Sequence, residues 1–299
     1  MKRPKPLQFG CALALAALTI SPVNAQNIFV SNTGAGKISE YDSSGNLING
    51  SFASGLNDPS GVAFDSSGNL YVAVAGSGKV SEFDSGGNLI NGSFASGLNE
   101  PVGLAFDGSG DLYVANFGNS KISEFNSSGQ LLRAFSGSGL TGPEGLAVDS
   151  AGNLYVAYGN LHMVAEYNST GTLLTSHFVT GVNFATGLAF DGSGNLYVAN
   201  GSVVSEFNSS GTSINHAFAS ALLGYGVAFD DTGDLYVVNN SGNSVWEYNS
   251  SGQRIEEITD PSLNGPTFIA ISPEAVPEPC AWMLLSGGLA ALLGLRRRN

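Results

Sequence analysis

The chain has 299 residues, of which 12% are charged and 41 are glycine. Soluble domains average about 25% charged residues, so this chain is poor in charge. Its regularly spaced Val, Leu, Phe and Tyr residues exclude a disordered chain. A formal net charge of −13 makes nucleic acid an unfavourable partner, because an acidic body repels phosphate. Both cysteines, Cys11 and Cys280, lie in terminal apolar segments, which excludes a disulfide framework, a thiol nucleophile and a Cys-based zinc site from the body between them.

Residues 1–25 have the features of a secretory signal peptide. Lys2, Arg3 and Lys5 precede an apolar stretch that is too short to span a bilayer. Small residues follow and end at Ala25, which predicts cleavage between Ala25 and Gln26. We therefore expect an exported protein whose mature chain begins at Gln26.

Residues 26–275 contain six copies of one unit. The motif Gly-(Val/Leu)-Ala-(Phe/Val)-Asp recurs after three steps of 42 residues and one of 39, and Glu-(Phe/Tyr)-(Asp/Asn) occurs six times between Glu40 and Glu247. Each unit predicts four short strands joined by Gly-containing hairpin loops. In the unit of Gly103 they cover 103–106, 111–115, 121–125 and 131–135. Four-stranded units of roughly 42 residues are typical of β-propeller blades.

The two ends of the repeat array complement each other. From Asn27 the chain begins with a second strand, whereas Phe268–Ile271 matches a first strand in the register of the preceding unit. We expect this C-terminal strand to complete the N-terminal blade. The result would be six blades across residues 27–272 with no open edge between the ends.

The Gly-(Leu/Val)-Ala-(Phe/Val)-Asp, Gly-Asn-Leu-Tyr-Val-Ala-Asn and Lys-Ile-Ser-Glu-Phe segments resemble those of NHL-repeat six-bladed β-propellers. The resemblance covers the whole body and implies an all-β fold. It departs at the third strand, where Ser-Glu stands in place of Gln-Val or a similar pair. It also departs in the shortened fifth unit, around 201–202 and 222–224. Neither departure threatens the fold.

Residues 276–299 carry a Pro-Glu-Pro motif, an apolar run of about 16 residues and an arginine cluster. This order resembles the PEP-CTERM sorting signal. The resemblance implies transient insertion into the inner membrane of a Gram-negative bacterium that makes exopolysaccharide. An exosortase-type protease would then cut near the motif and deliver the protein to the cell surface or extracellular matrix. A plain C-terminal anchor is the alternative. The processing residues are Ala25, Gln26, Pro277, Glu278, Pro279, Arg296, Arg297 and Arg298.

Two classes of loop differ in how much they vary between units. Loops from first to second and from third to fourth strands are nearly identical and define the repeated face. Loops from second to third strands, such as 75–78, and between blades, such as 57–59, differ and define the variable face. Recognition needs such differences, so we expect a site on the variable face around the central channel. The candidates are Asn32, Asn116, Tyr158, Asn200 and Asn239 at second-strand ends, Asp58, Glu100, Glu144, Phe184 and Tyr225 between blades, and His162.

Several of these patterns also have structural interpretations. The asparagines are suited to capping strand ends through bonds to the backbone. The glutamates of the third strands recur in every unit, so we expect them to be outward-facing strand residues or ladder partners rather than catalytic acids. The Asp-x-x-Gly loops lack the bidentate Glu of calcium loops and are expected to be hairpin turns. The three histidines occupy different places in their units, so no catalytic or metal centre is predicted.

These observations favour a monomeric, non-enzymatic module that binds an extracellular polysaccharide or protein without a cofactor. The alternative is a calcium-assisted hydrolase or lyase of the gluconolactonase-like kind. That enzyme would need three or four carboxylates, amides or histidines converging on the channel.

Overall fold

The computed structural model describes residues 26–220 and 224–273. They form 24 strands in six four-stranded antiparallel sheets, with short 3-10 turns at Thr33–Ala35, Ala75–Ser77, Phe117–Asn119 and Gly159–Leu161. In chain order the strands are β1 (Ile28–Asn32), β2 (Lys37–Tyr41), β3 (Leu47–Ser54), β4 (Pro59–Phe64), β5 (Leu70–Val74), β6 (Lys79–Phe83), β7 (Leu89–Ser96), β8 (Pro101–Phe106), β9 (Leu112–Asn116), β10 (Lys121–Phe125), β11 (Leu131–Phe135), β12 (Leu146–Val148), β13 (Leu154–Tyr158), β14 (Met163–Tyr167), β15 (Leu173–Thr180), β16 (Ala185–Phe190), β17 (Leu196–Asn200), β18 (Val203–Phe207), β19 (Ser213–Ser220), β20 (Gly224–Phe229), β21 (Leu235–Asn239), β22 (Ser244–Tyr248), β23 (Arg254–Thr259) and β24 (Pro266–Ile271).

Each sheet is one blade of a six-bladed β-propeller, as the repeats predict. Blade 1 has the order β24-β1-β2-β3, and blades 2 to 6 are β4–β7, β8–β11, β12–β15, β16–β19 and β20–β23. The first strands of neighbouring blades contact one another all the way round, so they surround the central axis. For the unit of Gly103, the predicted strands differ from the observed ones by no more than two residues at any end.

The seam between the chain ends reproduces a hairpin turn without a covalent link. The Ser272 N–H donates to Asn27 O over 2.9 Å, and the Asn27 N–H donates to Ser272 Oγ over 2.8 Å. Within blade 2, Asp65 and Asn69 make the same pair of bonds at 3.1 and 2.8 Å. The predicted closure of blade 1 by its C-terminal strand is therefore confirmed, and it uses the hydrogen bonds of an ordinary first-to-second-strand hairpin.

The glycine that opens the repeat motif is required by the packing of the first strands. A Cβ added to Gly61 or Gly103 would lie 2.1 Å from a carbonyl oxygen of the next blade, that of Val102 or Glu144 respectively. At Gly187 the same distance is 2.1 Å, and at Gly226 the nearest atom, Phe268 Cα, would be 2.7 Å away. Any side chain here would push two blades apart, so the glycine column sets how closely the blades surround the axis.

The repeated face is stabilised by a tyrosine and a glutamate in most blades. The Tyr71 ring packs edge-on against Phe94 of its own blade and Phe106 of the next, with centroids 4.8 and 4.9 Å apart. Such pairs contribute about 0.5–1.5 kcal/mol beyond their buried area. The Tyr71 hydroxyl donates to Glu82 Oε1 over 3.0 Å, across the register pair that joins them. The repeated glutamate is thus a ladder partner, as expected.

Candidate functional site

The loops of the variable face meet in pairs and form its surface. In blade 2 the N–H groups of Ala75 and Gly76 donate to the carbonyl oxygens of Asp58 and Asn57, at 3.0 and 3.1 Å. These bonds tie the second-to-third-strand turn to the loop that enters the blade. The backbone of the face is therefore fixed, and its side chains are presented from a rigid support.

Three of the predicted residues occupy a backbone conformation that favours glycine. Asp58, Glu100 and Phe184 hold equivalent positions and have φ angles of 62°, 47° and 60°. Gly142 and Gly265 fill the same position in blades 4 and 1, with φ of 65° and 59°. A non-glycine residue there costs on the order of 1 kcal/mol. Among the described residues, three blades therefore carry a side chain at a position where glycine would be more stable.

Residues of blades 1, 2 and 3 line an open cavity of about 300 Å³ on this face. Exposed Asp58 and Glu100 supply two carboxylates, and the half-buried Phe117 ring supplies an apolar wall. Thr33, Ser60 and Thr267 add hydroxyl groups to the lining. The full lining is Thr33, Asp58, Ser60, Ala75, Gly76, Glu100, Val102, Phe117 and Thr267. This set of acceptors, hydroxyls and one aromatic ring suits a polar ligand that carries hydrogen-bond donors.

The predicted asparagines lie beneath this surface rather than on it. Asn32, Asn116 and Asn239 are each no more than 1% exposed, and Asn200 is 7% exposed. The Asn116 amide donates to Val114 O and Ser123 Oγ at 3.2 and 3.1 Å, and its oxygen accepts from the Asn99 N–H at 3.2 Å. Asn32 makes the corresponding bonds in blade 1. The geometry gives these side chains a structural role, and ligand contact by them stays a prediction.

The remaining predicted residues have different surroundings. Tyr158 is fully buried, and its hydroxyl is 2.8 Å from that of Tyr167, so it belongs to the core of blade 4. His162 is exposed, and its Nδ1 accepts from the Phe184 N–H at 3.1 Å, which joins the loops of blades 4 and 5. Tyr225 is half-buried, and its carbonyl oxygen accepts a bond from a threonine hydroxyl.

Glu144 is the one predicted residue whose carboxyl group is buried. It is 7% exposed and holds the same position in blade 4 as Ser60, Val102 and Thr267 hold in the blades that line the cavity. Burial alone raises its pKa from 4.5 to about 7. A buried carboxyl group whose pKa is raised toward neutral pH is a candidate for ligand recognition.

Two further cavities lie elsewhere. One, of about 610 Å³, is a groove between the outer strands of blades 1 and 2, beside Lys79 and Leu89. The other, of about 310 Å³, lies on the repeated face, where the Glu206 and Asp191 carboxylates accept from the Asn195 amide. Within residues 26–220 and 224–273, no group of three or more His, Cys, Asp or Glu is placed to hold a metal ion. In the same part of the chain no helix is long and apolar enough to cross a membrane.

Sequence reasoning missed most of the cavity lining. Ser60, Val102, Glu144, Thr186, Tyr225 and Thr267 form one column of the repeat, directly before the motif glycine or its replacement Phe268. Only Glu144 and Tyr225 were predicted from this column. This column varies from blade to blade, whereas the next residue is glycine in five of the six blades, and that contrast was a signal that could have found the others.

Comparisons with known proteins agree on the fold. The NHL repeat family matches residues 98–125, and the N-terminal region of the strictosidine synthase-like family matches residues 132–160. No curated protein sequence matches the chain. The chain therefore contains a recognisable NHL repeat within its six-bladed propeller.

Three solved structures illustrate the range of similar propellers. A chain of a nidogen/laminin complex aligns with a TM-score of 0.71 at 19% identity, covering 83% of this chain and 98% of that one. A protein of unknown function from Bacteroides caccae aligns with a TM-score of 0.68 at 20% identity, covering 84% of this chain and 100% of that one. An inactive virginiamycin B lyase from Staphylococcus aureus, bound to quinupristin, aligns with a TM-score of 0.61 at 13% identity, covering 84% of this chain and 93% of that one. Identities this low show a shared fold alone.

Proposed function

We propose that this chain is an exported propeller that binds a polysaccharide or protein outside the cell without catalysing a reaction on it. The observation that carries the proposal is the cavity on the variable face, which is lined by residues that differ between blades. The repeated face keeps the same turns and Tyr–Glu pairs in most blades. A difference confined to one face is what recognition on a fixed scaffold needs.

The proposed export route rests on the two ends of the sequence, 1–25 and 276–299, which lie outside the described residues. Cleavage after Ala25 would leave Gln26 as the first residue. Gln26 Nε2 donates to Ser272 O over 2.9 Å, and Gln26 Oε1 accepts from the Asp231 N–H at 2.7 Å. A mature chain starting there would keep its first side chain fixed at the seam. Cutting near Pro277-Glu278-Pro279 by an exosortase-type protease would leave β24 in place and the ring closed.

The test is a binding array of extracellular glycans and matrix proteins probed with the full chain. The variant Asp58→Asn/Glu100→Gln removes both carboxylates of the cavity while keeping side-chain size. The control Asp231→Asn/Glu256→Gln makes the same change of charge at two exposed positions outside the cavity. We expect wild type and control to share a specific ligand that the cavity variant binds at least about tenfold more weakly, the effect of one charge-assisted hydrogen bond.

A thermal melt with and without calcium, followed by lactone hydrolysis and lyase assays, addresses the enzyme alternative. The proposal requires no calcium-dependent turnover. Calcium-dependent stabilisation accompanied by turnover would overturn it, as would an array on which the full chain binds nothing.

A further inference from the structure

Blades 1 and 3 each hold an asparagine amide between two fixed partners. In blade 3, Asn116 Nδ2 donates to Ser123 Oγ over 3.1 Å, and Asn116 Oδ1 accepts from the Asn99 N–H at 3.2 Å. In blade 1 the Asn32 amide makes the same two bonds to the equivalent residues, over 3.1 Å each. The amide thereby joins the third strand of its blade to the loop that enters the blade.

Blade 2 keeps both partners and lacks the amide. Val74 ends the second strand where blade 3 has Asn116, while Asn57 and Ser81 stand at the positions of the two partners. Among the described residues, no group accepts from the Asn57 N–H. Ser81 is 6% exposed, and its hydroxyl donates to Gly92 O over 3.4 Å without receiving a bond from any described donor. A single change of side chain therefore leaves one donor and one acceptor free.

Both free groups belong to residues that line the groove of about 610 Å³ between blades 1 and 2. Val74 also lines this groove, so the groove lies beside the position that an amide fills in blades 1 and 3. Leu89, which is 60% exposed, adds apolar surface, and Lys79 adds a positive charge. The groove and the cavity on the variable face share no lining residue, so they are separate sites.

We propose that this groove binds a polypeptide segment through the carboxamide of an asparagine or glutamine side chain. The carboxamide oxygen accepts from the Asn57 N–H, and its nitrogen donates to Ser81 Oγ, as blades 1 and 3 do internally. In both of those blades the nitrogen also donates to a backbone carbonyl oxygen, so two N–H bonds are used. A primary carboxamide has both, whereas the acetamido group of an amino sugar has one. A peptide therefore fits the groove better than a glycan.

Peptides that differ in one side chain test the proposal. Acetyl-Ala-Asn-Ala methylamide carries the carboxamide, its leucine counterpart keeps the shape without the hydrogen bonds, and its aspartate counterpart offers a carboxylate. Diacetylchitobiose supplies the acetamido group of an amino sugar. Each probe is titrated into the isotope-labelled full chain, and binding is followed by NMR through the backbone amide signals of Asn57 and, as an internal control, Asn99.

Two variants remove the proposed contacts in different ways. Val74→Asn supplies the internal amide of blades 1 and 3, and it should fold because asparagine ends the second strand in four of the six blades. Ser81→Ala removes one partner without filling the groove. Its matched control is Ser123→Ala in blade 3, where Asn116 already occupies the equivalent position.

We expect wild type and Ser123→Ala to bind the asparagine peptide about tenfold more tightly than the leucine peptide, the effect of two neutral hydrogen bonds. The Asn57 signal should shift on binding and the Asn99 signal should not. Val74→Asn and Ser81→Ala should lose the preference.

Equal binding of the asparagine and leucine peptides to wild type overturns the proposal, as does a preference that survives in Val74→Asn or Ser81→Ala. Tighter binding of the aspartate peptide would assign the groove to an anion at Lys79, and tighter binding of diacetylchitobiose would assign it to a glycan. Either result overturns the carboxamide peptide as the occupant. Because the groove is separate from the cavity on the variable face, none of these results decides the test of the proposed function.

Discussion

Replacing Glu144 by glutamine should change how the stability of the protein depends on pH. Its pKa is raised from 4.5 to about 7 by burial, so the folded state binds more protons than the unfolded state between these values. The free energy of unfolding therefore falls as the pH rises through that interval. At 1.36 kcal/mol per pKa unit, the loss due to this one group is about 3 kcal/mol by pH 8. Glu144→Gln has no such proton to lose.

Urea unfolding at pH 5 and pH 8 measures the effect, because the other carboxyl groups contribute equally to wild type and variant. The advantage of Glu144→Gln over wild type should grow by about 3 kcal/mol between the two pH values. Glu256 is exposed, so Glu256→Gln should follow the wild-type profile. Parallel profiles for wild type and Glu144→Gln would refute the burial argument, as would an equal change in Glu256→Gln.

Three further predictions concern the scaffold. Gly103→Ala should destabilise the protein by about 3 kcal/mol or more in urea unfolding, because its Cβ would lie 2.1 Å from a backbone oxygen. The control Gly108→Ala, whose Cβ would have nothing within 4 Å, should change the urea midpoint little. Asn116→Ala should lower the free energy of unfolding by about 1–3 kcal/mol, because it leaves buried hydrogen-bond partners unpaired, and should leave ligand affinity in the array assay unchanged. Weaker binding without a loss of stability would instead show that Asn116 contacts the ligand. A circular permutant can be made by joining Ser272 to Asn27 through Ser-Ser-Gly and opening new chain ends in another hairpin. We expect circular dichroism and thermal melting to show that it is folded, and an unfolded permutant would contradict the hairpin geometry of the seam.

The sequence was sufficient for the fold because each blade repeats the same local solution. The motif glycine, the Leu-Tyr-Val strand and the turn residues recur at fixed spacing, so a single unit predicts all the others. Closure of the ring was also predictable, since Phe268–Ile271 continues the register of the preceding unit while Asn27 begins without a first strand. These features depend on spacing along the chain, which a sequence shows directly.

The candidate site was only partly predictable because it depends on how the side chains of neighbouring blades pack against one another. The asparagines stood out as a repeated column, yet their burial and internal bonds follow from packing. Glu144 was recognised as a loop residue of the variable face. Its carboxyl oxygen lies in the place of the side chain that Gly159 lacks, near a carbonyl oxygen of the next blade at Ala185. Such a relation across two blades has no signature within a single unit.

Hydrogen–deuterium exchange of the full chain, with and without the strongest ligand from the array, tests most directly whether the variable face is the binding face. We expect added protection of backbone amides in the loops at 57–59, 75–78 and 99–101, which form or adjoin the cavity. The hairpins of the repeated face at 65–69 and 107–111 should exchange at unchanged rates. Protection confined to those hairpins, with the variable face unaffected, would show that the ligand does not bind the variable face.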